Sequence, residues 1–339
     1  MKSEVLYYSN TGRIREGVDR FLKVVSDDLG RDGVAFKIHF GEKGNDTHIR
    51  PKWVKGIPEY FNDPVFVECN VMYRGSRTRR SDHLKMAKEH GFDFINIDIL
   101  DGEMGEDSVD VPVALKGRKS VKLGAGILKY DRLVALSHFK GHMATGFGGA
   151  LKNIGMGLGS RAGKMEMHSI ISPYVDSAKC TACGVCVENC DFNAIELGKA
   201  ASIDKEKCAG CARCIAVCPN GAVSIPWDMS DEVNNRLMEN IADYAFGATS
   251  GRRWWYINFL TDMTVDCDCM PHAQKRIADD IGILLSKDPV AIDQASLDLI
   301  VEKNGKDPFK AANKVDSSHI LEYGESIGLG TREYTLNRI

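Results

Sequence analysis

The chain lacks any apolar run long enough to cross a membrane, so we expect no transmembrane helix. It also lacks an excess of charge of one sign, because 44 Lys and Arg residues stand against 47 Asp and Glu residues. The net charge of −3 gives no general argument for binding nucleic acid or an anionic membrane. No charged and then apolar leader opens the sequence, and we therefore expect a cytoplasmic protein with reduced thiols.

Cysteine, by contrast, is abundant and concentrated in one stretch. Eight of the 11 cysteines lie between residues 180 and 219, where the spacing C-x2-C-x2-C-x3-C occurs twice. In such a run, three thiolates bind one [4Fe–4S] cluster and the fourth binds the neighbouring cluster. The sequence therefore predicts two clusters. The ligands of the first are Cys180, Cys183, Cys186 and Cys218, and those of the second are Cys208, Cys211, Cys214 and Cys190.

Two other uses of these eight cysteines fit the pattern less well. Four disulfides are not expected in a cytoplasmic protein of 339 residues. Zinc sites use paired C-x2-C units separated by a long gap, not three cysteines at consecutive short spacings. One departure from the usual run is Asp191, which follows Cys190 where proline is common. Because proline is not a ligand, this difference affects the stiffness of the loop and not cluster binding.

On both sides of the cysteine stretch, apolar runs alternate with amphipathic segments. We predict strands at 4–8, 34–40, 64–68, 92–100, 131–137, 254–260 and 280–286, and helices at 13–29, 81–90, 230–244 and 288–303. This alternation predicts an α/β fold with a mostly parallel or mixed sheet. We expect one α/β domain in two parts, 1–171 and 229–339, interrupted at 172–228 by an inserted bacterial-type ferredoxin-like domain with two [4Fe–4S] clusters.

The segment 138–168 follows a predicted strand and combines eight glycines with three histidines and three lysines. Glycines let backbone N–H groups approach an anion, and strand ends are where α/β folds bind ligands. We therefore predict a functional site here. The catalytic candidates are His142, Lys152 and His168, and the candidates for binding a cofactor are Gly146, Gly148, Gly149 and Arg161. The alternative is a tightly packed loop whose histidines bond to the backbone.

Two further loops, 39–53 and 69–80, also follow predicted strands and carry His39 and Arg77. If they share the carboxyl edge of the sheet with 138–168, the three loops form one pocket with an anion-binding rim. His39 and Arg77 are therefore further candidates for binding a small anionic ligand or an anionic organic cofactor. The alternative is that the arginines belong to a solvated surface run.

Two of the remaining cysteines, Cys267 and Cys269, stand in the sequence VDCDCMPH. Alternate residues of an extended segment point the same way, so both thiols can face one metal ion or cluster. The sequence thus indicates a possible additional metal or redox site. Buried, unmodified cysteines are the alternative.

With these stretches identified, the chain resembles domain-of-unknown-function family 362, a family of iron–sulfur proteins, over nearly its whole length. The matching stretches include KIHFGEKGN, NVMYRGSR, SHFKGHMATGFGGALKNIGMGLGSRAGKMEMH, INFLTDMTVDCDC and GILLSKDPVAIDQASLDL. The resemblance implies a ferredoxin-type pair of clusters within an α/β domain. It supplies no reaction.

A second resemblance is confined to the pocket. GFGGALK at 146–152 is similar to a signature of the nickel-dependent lactate racemase catalytic subunit. The resemblance implies that His142 matches a catalytic histidine, Lys152 the cofactor-linked lysine and His168 the nickel-ligating histidine. Gly148 stands where that family has serine, and that family carries no clusters. The resemblance therefore implies a shared pocket more than a shared cofactor.

Together these patterns predict a redox protein that transfers electrons between a ferredoxin-like partner protein and a substrate or cofactor in the glycine- and histidine-rich pocket. If the protein is an enzyme, we expect an iron–sulfur oxidoreductase. Two alternatives stay open, namely a non-enzymatic electron carrier or adaptor, and a metal- or cofactor-handling protein that uses Cys267, Cys269 and the histidines. A neutral imidazole serves both as a metal ligand and as a proton shuttle, so the histidines fit either use.

Overall fold

A computed structural model describes residues 2–168, 173–225 and 230–339. The strands are β1 (Ser3–Tyr8), β2 (Val34–Ile38), β3 (Val65–Glu68), β4 (Asn96–Ile99), β5 (Ser108–Leu115), β6 (Arg118–Gly124), β7 (Arg132–His138), β8 (Lys140–His142), β9 (Gly146–Gly148), β10 (Tyr174–Val175), β11 (Ile195–Leu197), β12 (Ala201–Ile203), β13 (Val223–Ser224), β14 (Arg253–Leu260), β15 (Gly282–Ser286) and β16 (Tyr334–Arg338).

The α-helices follow the same chain order. They are α1 (Ile14–Leu29), α2 (Pro51–Val54), α3 (Ile57–Tyr60), α4 (Arg80–Glu89), α5 (Ala150–Leu158), α6 (Arg161–His168), α7 (Val185–Glu188), α8 (Arg213–Val217), α9 (Asp231–Thr249), α10 (Pro289–Asn304), α11 (Pro308–Asn313) and α12 (Ser318–Ser326). Within the described ranges, no helix is both long enough and apolar enough to cross a membrane.

Eight strands form one sheet in the order β16-β1-β15-β14-β7-β2-β3-β4. All of them run in one direction except β15, which pairs antiparallel with both of its neighbours. The protein is therefore a mixed α/β protein with a large, mostly parallel sheet, as the alternating pattern predicted. The edge strand β16 and the antiparallel hairpin of β5 and β6 were not predicted.

The central strand β7 contains the unbroken apolar run LVAL at residues 133–136. Leu133 and Ala135 face a core that includes α5, α9 and α10, whereas Val134 and Leu136 face a second core that includes α1. A strand covered by helices on both faces needs apolar side chains at odd and even positions alike. Each buried side chain of the size of leucine or valine contributes about 1.5–3 kcal/mol to stability.

Residues 173–225, called here the cysteine segment, form two small antiparallel pairs, β10 with β13 and β11 with β12. The short helices α7 and α8 carry Cys186 and Cys214. The apolar cluster of this segment also includes Met72 and Met165 from the rest of the chain. The cysteine segment thus packs against the loop after β3 and against α6. The predicted boundaries of the insertion, at residues 171–172 and 228–229, lie outside the described residues.

Four parallel strands, β2, β3, β7 and β14, end at one edge of the sheet. The central strands β2 and β7 are neighbours, with β3 beyond β2 and β14 beyond β7. From β2 the chain continues to β3 on one side of this pair, and from β7 it continues to β14 on the other side. At such a point the loops after the strands separate and leave a crevice, which is the usual ligand site of an open α/β sheet.

Candidate functional site

A cavity of about 840 Å³ opens at this carboxyl edge. Its walls are the loops after β2, β3, β7 and β14, together with parts of α5, α6 and α9. Seven residues singled out from the sequence line it: His39, Arg77, His142, Lys152, His168, Cys267 and Cys269. Loops that are far apart in the sequence therefore contribute to one pocket.

The other predicted residues lie in or behind the walls. The fully buried Arg161 donates to three backbone carbonyls, including that of Val71 at 3.2 Å, so its guanidinium holds loops together. Gly146 has a φ of +71° and packs against the segment that precedes α12. A methyl group at Gly148 would lie 3.2 Å from Cδ of Lys152, so this glycine leaves room for the lysine side chain.

The start of α5, which follows the glycines at 146, 148 and 149, already has a carboxylate as its partner. Asp293 of α10 accepts hydrogen bonds from the N–H groups of Ala150 at 2.7 Å and Leu151 at 2.9 Å. A Cβ at Gly149 would come within 2.3 Å of this carboxylate, which only glycine permits. Burial raises the pKa of Asp293 to about 6. The first N–H groups of α5 are thus satisfied by the protein's own carboxylate.

Cationic side chains dominate the polar part of the cavity. Lys37, Lys140, Lys152 and Lys164 line it together with Arg77. Burial, reinforced by the charges of Lys140 and Arg77, lowers the pKa of Lys152 to about 7. Near neutral pH, Lys152 is therefore present both as an amine and as an ammonium ion. The amine can accept a proton or act as a nucleophile, and the ammonium ion can donate a proton or bind an anion.

Acidic side chains lie close to three of these cations, and one of them is Lys140, whose Nζ is 3.8 Å from Oδ2 of Asp268. Nζ of Lys37 lies 3.0 Å from Oε1 of Glu68 and donates to Oδ1 of Asn153 at 2.8 Å. Nε of Arg77 lies 3.1 Å from Oε2 of Glu42. Lys37 and Glu68 stand in the strands VAFKI and VFVE and were not among the residues predicted for the site. A charge inside an otherwise apolar strand was the available signal, because buried charges require partners.

The histidines of the cavity are held in the neutral form. Nδ1 of His142 accepts from the N–H of Ala144 at 3.2 Å, so the hydrogen of its neutral ring is on Nε2. Burial and the charge of Lys152 lower the pKa of His142 well below its usual range and that of His168 to about 4. Burial and the neighbouring arginine lower the pKa of His39 as well. The ring of His142 can therefore offer its Nε2–H to a ligand, while its Nδ1 lone pair is already engaged.

The loop after β14 brings two cysteines to the cavity. Cys267 and Cys269 are joined by a disulfide, with their Cα atoms 5.3 Å apart. The buried Asp268 between them lies 2.8 Å from Nδ1 of His138 and accepts from the hydroxyl of Thr47 at 2.9 Å. Burial favours protonation of this carboxyl, but its contacts with His138 lower its pKa far below the usual range. The loop is thus anchored by an ionised, fully hydrogen-bonded side chain.

The cysteine segment holds two small cavities, and each is lined by one of the predicted tetrads. The first is lined by Cys180, Cys183, Cys186 and Cys218, and the second by Cys190, Cys208, Cys211 and Cys214. Burial and nearby thiols of the same tetrad raise the pKa of Cys186, and in the same way that of Cys214 to about 12. The side chains of each tetrad therefore lie close enough to interact electrostatically.

Backbone N–H groups point at several of these sulfurs. Those of Ala194, Ala201 and Ala222 donate to Sγ of Cys190, Cys180 and Cys218, at 3.4, 3.4 and 3.2 Å respectively. Such donors tune the potential of a thiolate-bound cluster. Nowhere in residues 2–168, 173–225 and 230–339 do three His, Cys, Asp or Glu side chains converge on the position of a single metal ion. The four cysteines of each tetrad instead line one common small cavity.

The large cavity and the cysteine segment share a wall. Met72 and Ile225 line the large cavity and also belong to the apolar cluster that contains the buried cysteines. Arg74 lines the large cavity as well, and it donates a hydrogen bond to the carbonyl oxygen of Pro219. Pro219 in turn lines the cavity of the first tetrad. A short stretch of protein therefore separates the two kinds of site.

Comparisons with known proteins give a family and distant structural similarities. The structure is similar to lactate racemase apoprotein from Thermoanaerobacterium thermosaccharolyticum, with 12% identity and a TM-score of 0.40, over 76% of this chain and 51% of that one. It is also similar to a protein from Thermotoga maritima, with 10% identity and a TM-score of 0.39, over 87% of this chain and 59% of that one. The chain thus spans only part of both structures, and no curated protein matches its sequence.

The family model described as domain of unknown function DUF362 matches residues 34–298. That range begins at β2 and ends within α10, so it includes the walls of the large cavity and the whole cysteine segment. Because this match covers well over half of the chain, the protein belongs to the DUF362 family.

Proposed function

We propose that this protein is an iron–sulfur oxidoreductase whose cysteine segment is a ferredoxin-like insertion with two [4Fe–4S] clusters. The clusters would supply the storage and transfer of single electrons. The residues of the large cavity would bind and orient an anionic substrate or cofactor that exchanges electrons with them. A ferredoxin-like partner protein would complete the electron path.

The observation that carries this proposal is the division of eight cysteines between two cavities. In each cavity the fourth cysteine comes from the other run, Cys218 joining the first run and Cys190 the second. The ligation rule for a pair of [4Fe–4S] clusters requires this exchange, whereas disulfides or zinc knuckles do not. Four thiols around a small cavity with N–H donors to sulfur fit such a cluster.

The shared wall supports an oxidoreductase over a simple electron carrier. Met72 and Arg74 line the large cavity and contact the cysteine segment, and Ile225 of the cysteine segment itself lines the large cavity. A carrier needs only an exposed cluster, whereas this arrangement brings the cysteine segment against a second, ligand-sized pocket. Pockets of several hundred Å³ with a few convergent polar groups are typical of small-molecule sites.

The lining of the large cavity supports a ligand with two chemically different ends. Lys140 and Lys152 offer positive charge, while Met143, Met156 and Leu237 offer apolar surface. An anionic head group would be favoured at the lysines because the cavity is partly withdrawn from water. An apolar or aromatic body would displace water from the methionines.

Two exposed apolar side chains support a docking site for the electron-transfer partner. Phe192 and Leu197 are 47% and 48% exposed, and they line the cavities of the second and first tetrads respectively. Apolar side chains that stay exposed beside a redox site are favourable contacts for another protein. A partner bound there would bring its own redox group near either tetrad.

Elemental analysis of anaerobically purified protein tests the cluster assignment. We expect about eight irons and eight sulfides per chain, the sum of two four-iron clusters. Cys186→Ser and Cys214→Ser should each remove about half of the iron, because each breaks one tetrad. Cys69→Ser should keep all of it, since this cysteine belongs to neither tetrad. Zinc in place of iron would overturn the assignment.

A second experiment separates the oxidoreductase from a carrier. Lys152→Met and His168→Gln should leave the cluster absorbance intact and weaken binding of carboxylates such as benzoate, because both residues line the cavity. A carrier predicts the opposite result, namely wild-type electron transfer and no carboxylate binding in any variant. That result would contradict the proposed role of the cavity.

A further inference from the structure

We infer that Cys267 and Cys269 form a redox-active dithiol–disulfide pair that takes electrons from the cysteine segment and reduces a disulfide substrate carrying a carboxylate. This inference rests on the proposed function, because the two clusters are the source of its electrons. The pair is joined in the structure and lies in the wall of the large cavity.

The pair lines the cavity within a tight turn, in which the N–H of Met270 donates to the carbonyl of Cys267 at 3.1 Å and the Cα atoms of Cys267 and Cys269 are 5.3 Å apart. Asp268, between them, also lines the cavity and is held by His138 and Thr47. Lys152 and His142 line the same cavity. A ligand bound against Lys152 therefore shares one cavity with the pair.

Backbone contacts hold this loop in place. The carbonyl of Cys267 accepts from Nε2 of Gln274 at 2.9 Å, and that of Asp268 accepts from the N–H of Glu42 at 2.9 Å. Gln274 also accepts from the N–H of Asp266 at 3.2 Å. None of these bonds involves sulfur. The loop can therefore keep its conformation whether the two sulfurs are bonded or carry hydrogen.

Reduction of the pair balances with the electrons that the proposed clusters hold. The S–S bond breaks, and each sulfur gains one electron and one proton, so the pair takes two electrons, one for each reduced cluster. The ammonium group of Lys152 is a proton donor in the same cavity, and solvent water supplies the second proton. The products are the two thiols of Cys267 and Cys269.

Oxidation of the pair by a substrate disulfide completes the cycle. Cys267 is only 4% exposed and Cys269 is more accessible, so the thiolate of Cys269 attacks the substrate. One substrate thiol leaves with a proton, and a mixed disulfide remains on Cys269. The thiolate of Cys267 then attacks that sulfur, releases the second substrate thiol and restores the disulfide of the pair. One substrate disulfide becomes two thiols.

The lysines define the charge of the substrate. Lys140 and Lys152 line the cavity beside the pair, and Gly148 leaves space next to both, since a Cβ there would lie 3.7 Å from Nζ of Lys140. A carboxylate on the substrate is therefore favoured over a neutral group. Lipoate, a cyclic disulfide with a carboxylate on an apolar chain, is a suitable probe, and its neutral amide, lipoamide, is the matched control.

Thiol labelling of the intact holoprotein tests the first step. The tryptic peptide 254–275 contains Cys267 and Cys269 and no other cysteine. After acid quenching and alkylation in denaturant, we expect no label on this peptide in the oxidised holoprotein. After the holoprotein has been treated with an excess of reduced methyl viologen, we expect a label on both cysteines. In the Cys186→Ser/Cys214→Ser variant the viologen should fail, while a phosphine reductant should still expose both thiols.

Probe reduction and trapping test the second step. With reduced methyl viologen as donor, lipoate should be reduced about ten-fold faster than lipoamide at equal low concentration, the effect of one charge-assisted contact. Cys269→Ser should abolish the reaction. Cys267→Ser should instead trap one lipoate as a mixed disulfide on Cys269, visible by mass spectrometry of the intact protein. Labelling of both cysteines in the oxidised protein, or equal rates with the two probes, would overturn the inference.

Two failures can be told apart. Wild-type protein without iron would contradict the proposed function, whatever the state of Cys267 and Cys269. Protein with full iron and reducible clusters, but with the labelling of peptide 254–275 unchanged on reduction, would contradict only this inference.

Discussion

Nζ of Lys37 lies 3.0 Å from Oε1 of Glu68, and both side chains are buried at the ends of the neighbouring strands β2 and β3. The same ammonium group donates to Asn153 on α5. The ion pair therefore joins two strands and a helix where the large cavity begins. Because removing two charges from water is costly, such a pair contributes little as a whole, but the loss of one member leaves an uncompensated charge.

The Lys37–Glu68 pair leads to a prediction about stability. Glu68→Leu should destabilise the protein by about 3–5 kcal/mol, since the lysine is left buried without its counter-charge. The Lys37→Met/Glu68→Leu double variant should recover most of that loss, because no buried charge remains. The midpoint of thermal unfolding of anaerobic holoprotein measures both effects. A double variant less stable than the single one would contradict this account.

The second prediction concerns the protonation of Lys152. Burial and the charge of Lys140 lower the pKa of Lys152 to about 7. The rate of acetylation of Lys152 should therefore rise as the pH increases through 7, because the reactive amine replaces the ammonium ion. Free Nα-acetyl-lysine, which titrates near pH 10.4, is the reference. Benzoate binding should show the opposite trend, weakening as the pH rises through 7 and the cation is lost.

Two variants check the assignment of this titration to Lys152. Lys152→Met should remove the pH dependence of benzoate binding near 7. Lys140→Met should move the acetylation midpoint of Lys152 to higher pH, because a repelling charge is gone. An unshifted midpoint in Lys140→Met would argue against the electrostatic cause.

The third prediction concerns the close approach of Gly141 to the loop that carries Cys267 and Cys269. A Cβ at Gly141 would lie 2.0 Å from the carbonyl oxygen of Val265, so Gly141→Ala must push the loop away. We expect a loss of about 1–3 kcal/mol, the usual cost of overpacking, and altered alkylation of Cys267 and Cys269. Gly198→Ala is the control, because its nearest neighbouring atom is at 3.7 Å. Equal effects of the two substitutions would refute this reason.

The fourth prediction concerns the contact between the two kinds of site. Arg74→Ala removes the hydrogen bond to Pro219 and should slow the reduction of a cavity-bound acceptor several-fold, with the iron content unchanged. Arg79→Ala is the matched control, since this exposed arginine does not line the cavity. Stopped-flow recording of cluster reoxidation distinguishes the two variants. Loss of iron in Arg74→Ala would instead indicate a structural role.

Much of the architecture was predictable because it depends on local patterns. The apolar runs that became β1, β2, β3, β4, β7, β14 and β15 were predicted as strands, and the helices now labelled α1, α4, α9 and α10 were predicted near their observed bounds. The strand β16 was not, because YTLNR is mostly exposed and has no buried face to produce an apolar pattern. Its place beside β1 depends on pairing between the two ends of the described chain.

The site was predictable only in part, for a related reason. Glycine and histidine stand out in a sequence, so His142, Lys152 and His168 were found, whereas Lys37 and Glu68 were hidden within apolar strands. Asp293 was also missed. It satisfies the start of α5 from a helix more than 130 residues away in the sequence, and such a partner leaves no local signal.

The sequence by itself determined the α/β class and the family, because periodic burial and long matching stretches are properties of the chain alone. It also predicts which eight cysteines act together as cluster ligands, because the prediction depends on short spacings alone. Only the tertiary structure decided that four strand-end loops enclose one cavity, and that Lys152 lies there with lysines that lower its pKa. The tertiary structure alone also places Cys267 and Cys269 in the wall of this cavity. Parallel pairing brings these residues to one edge across gaps of many residues, and no local pattern records such distances.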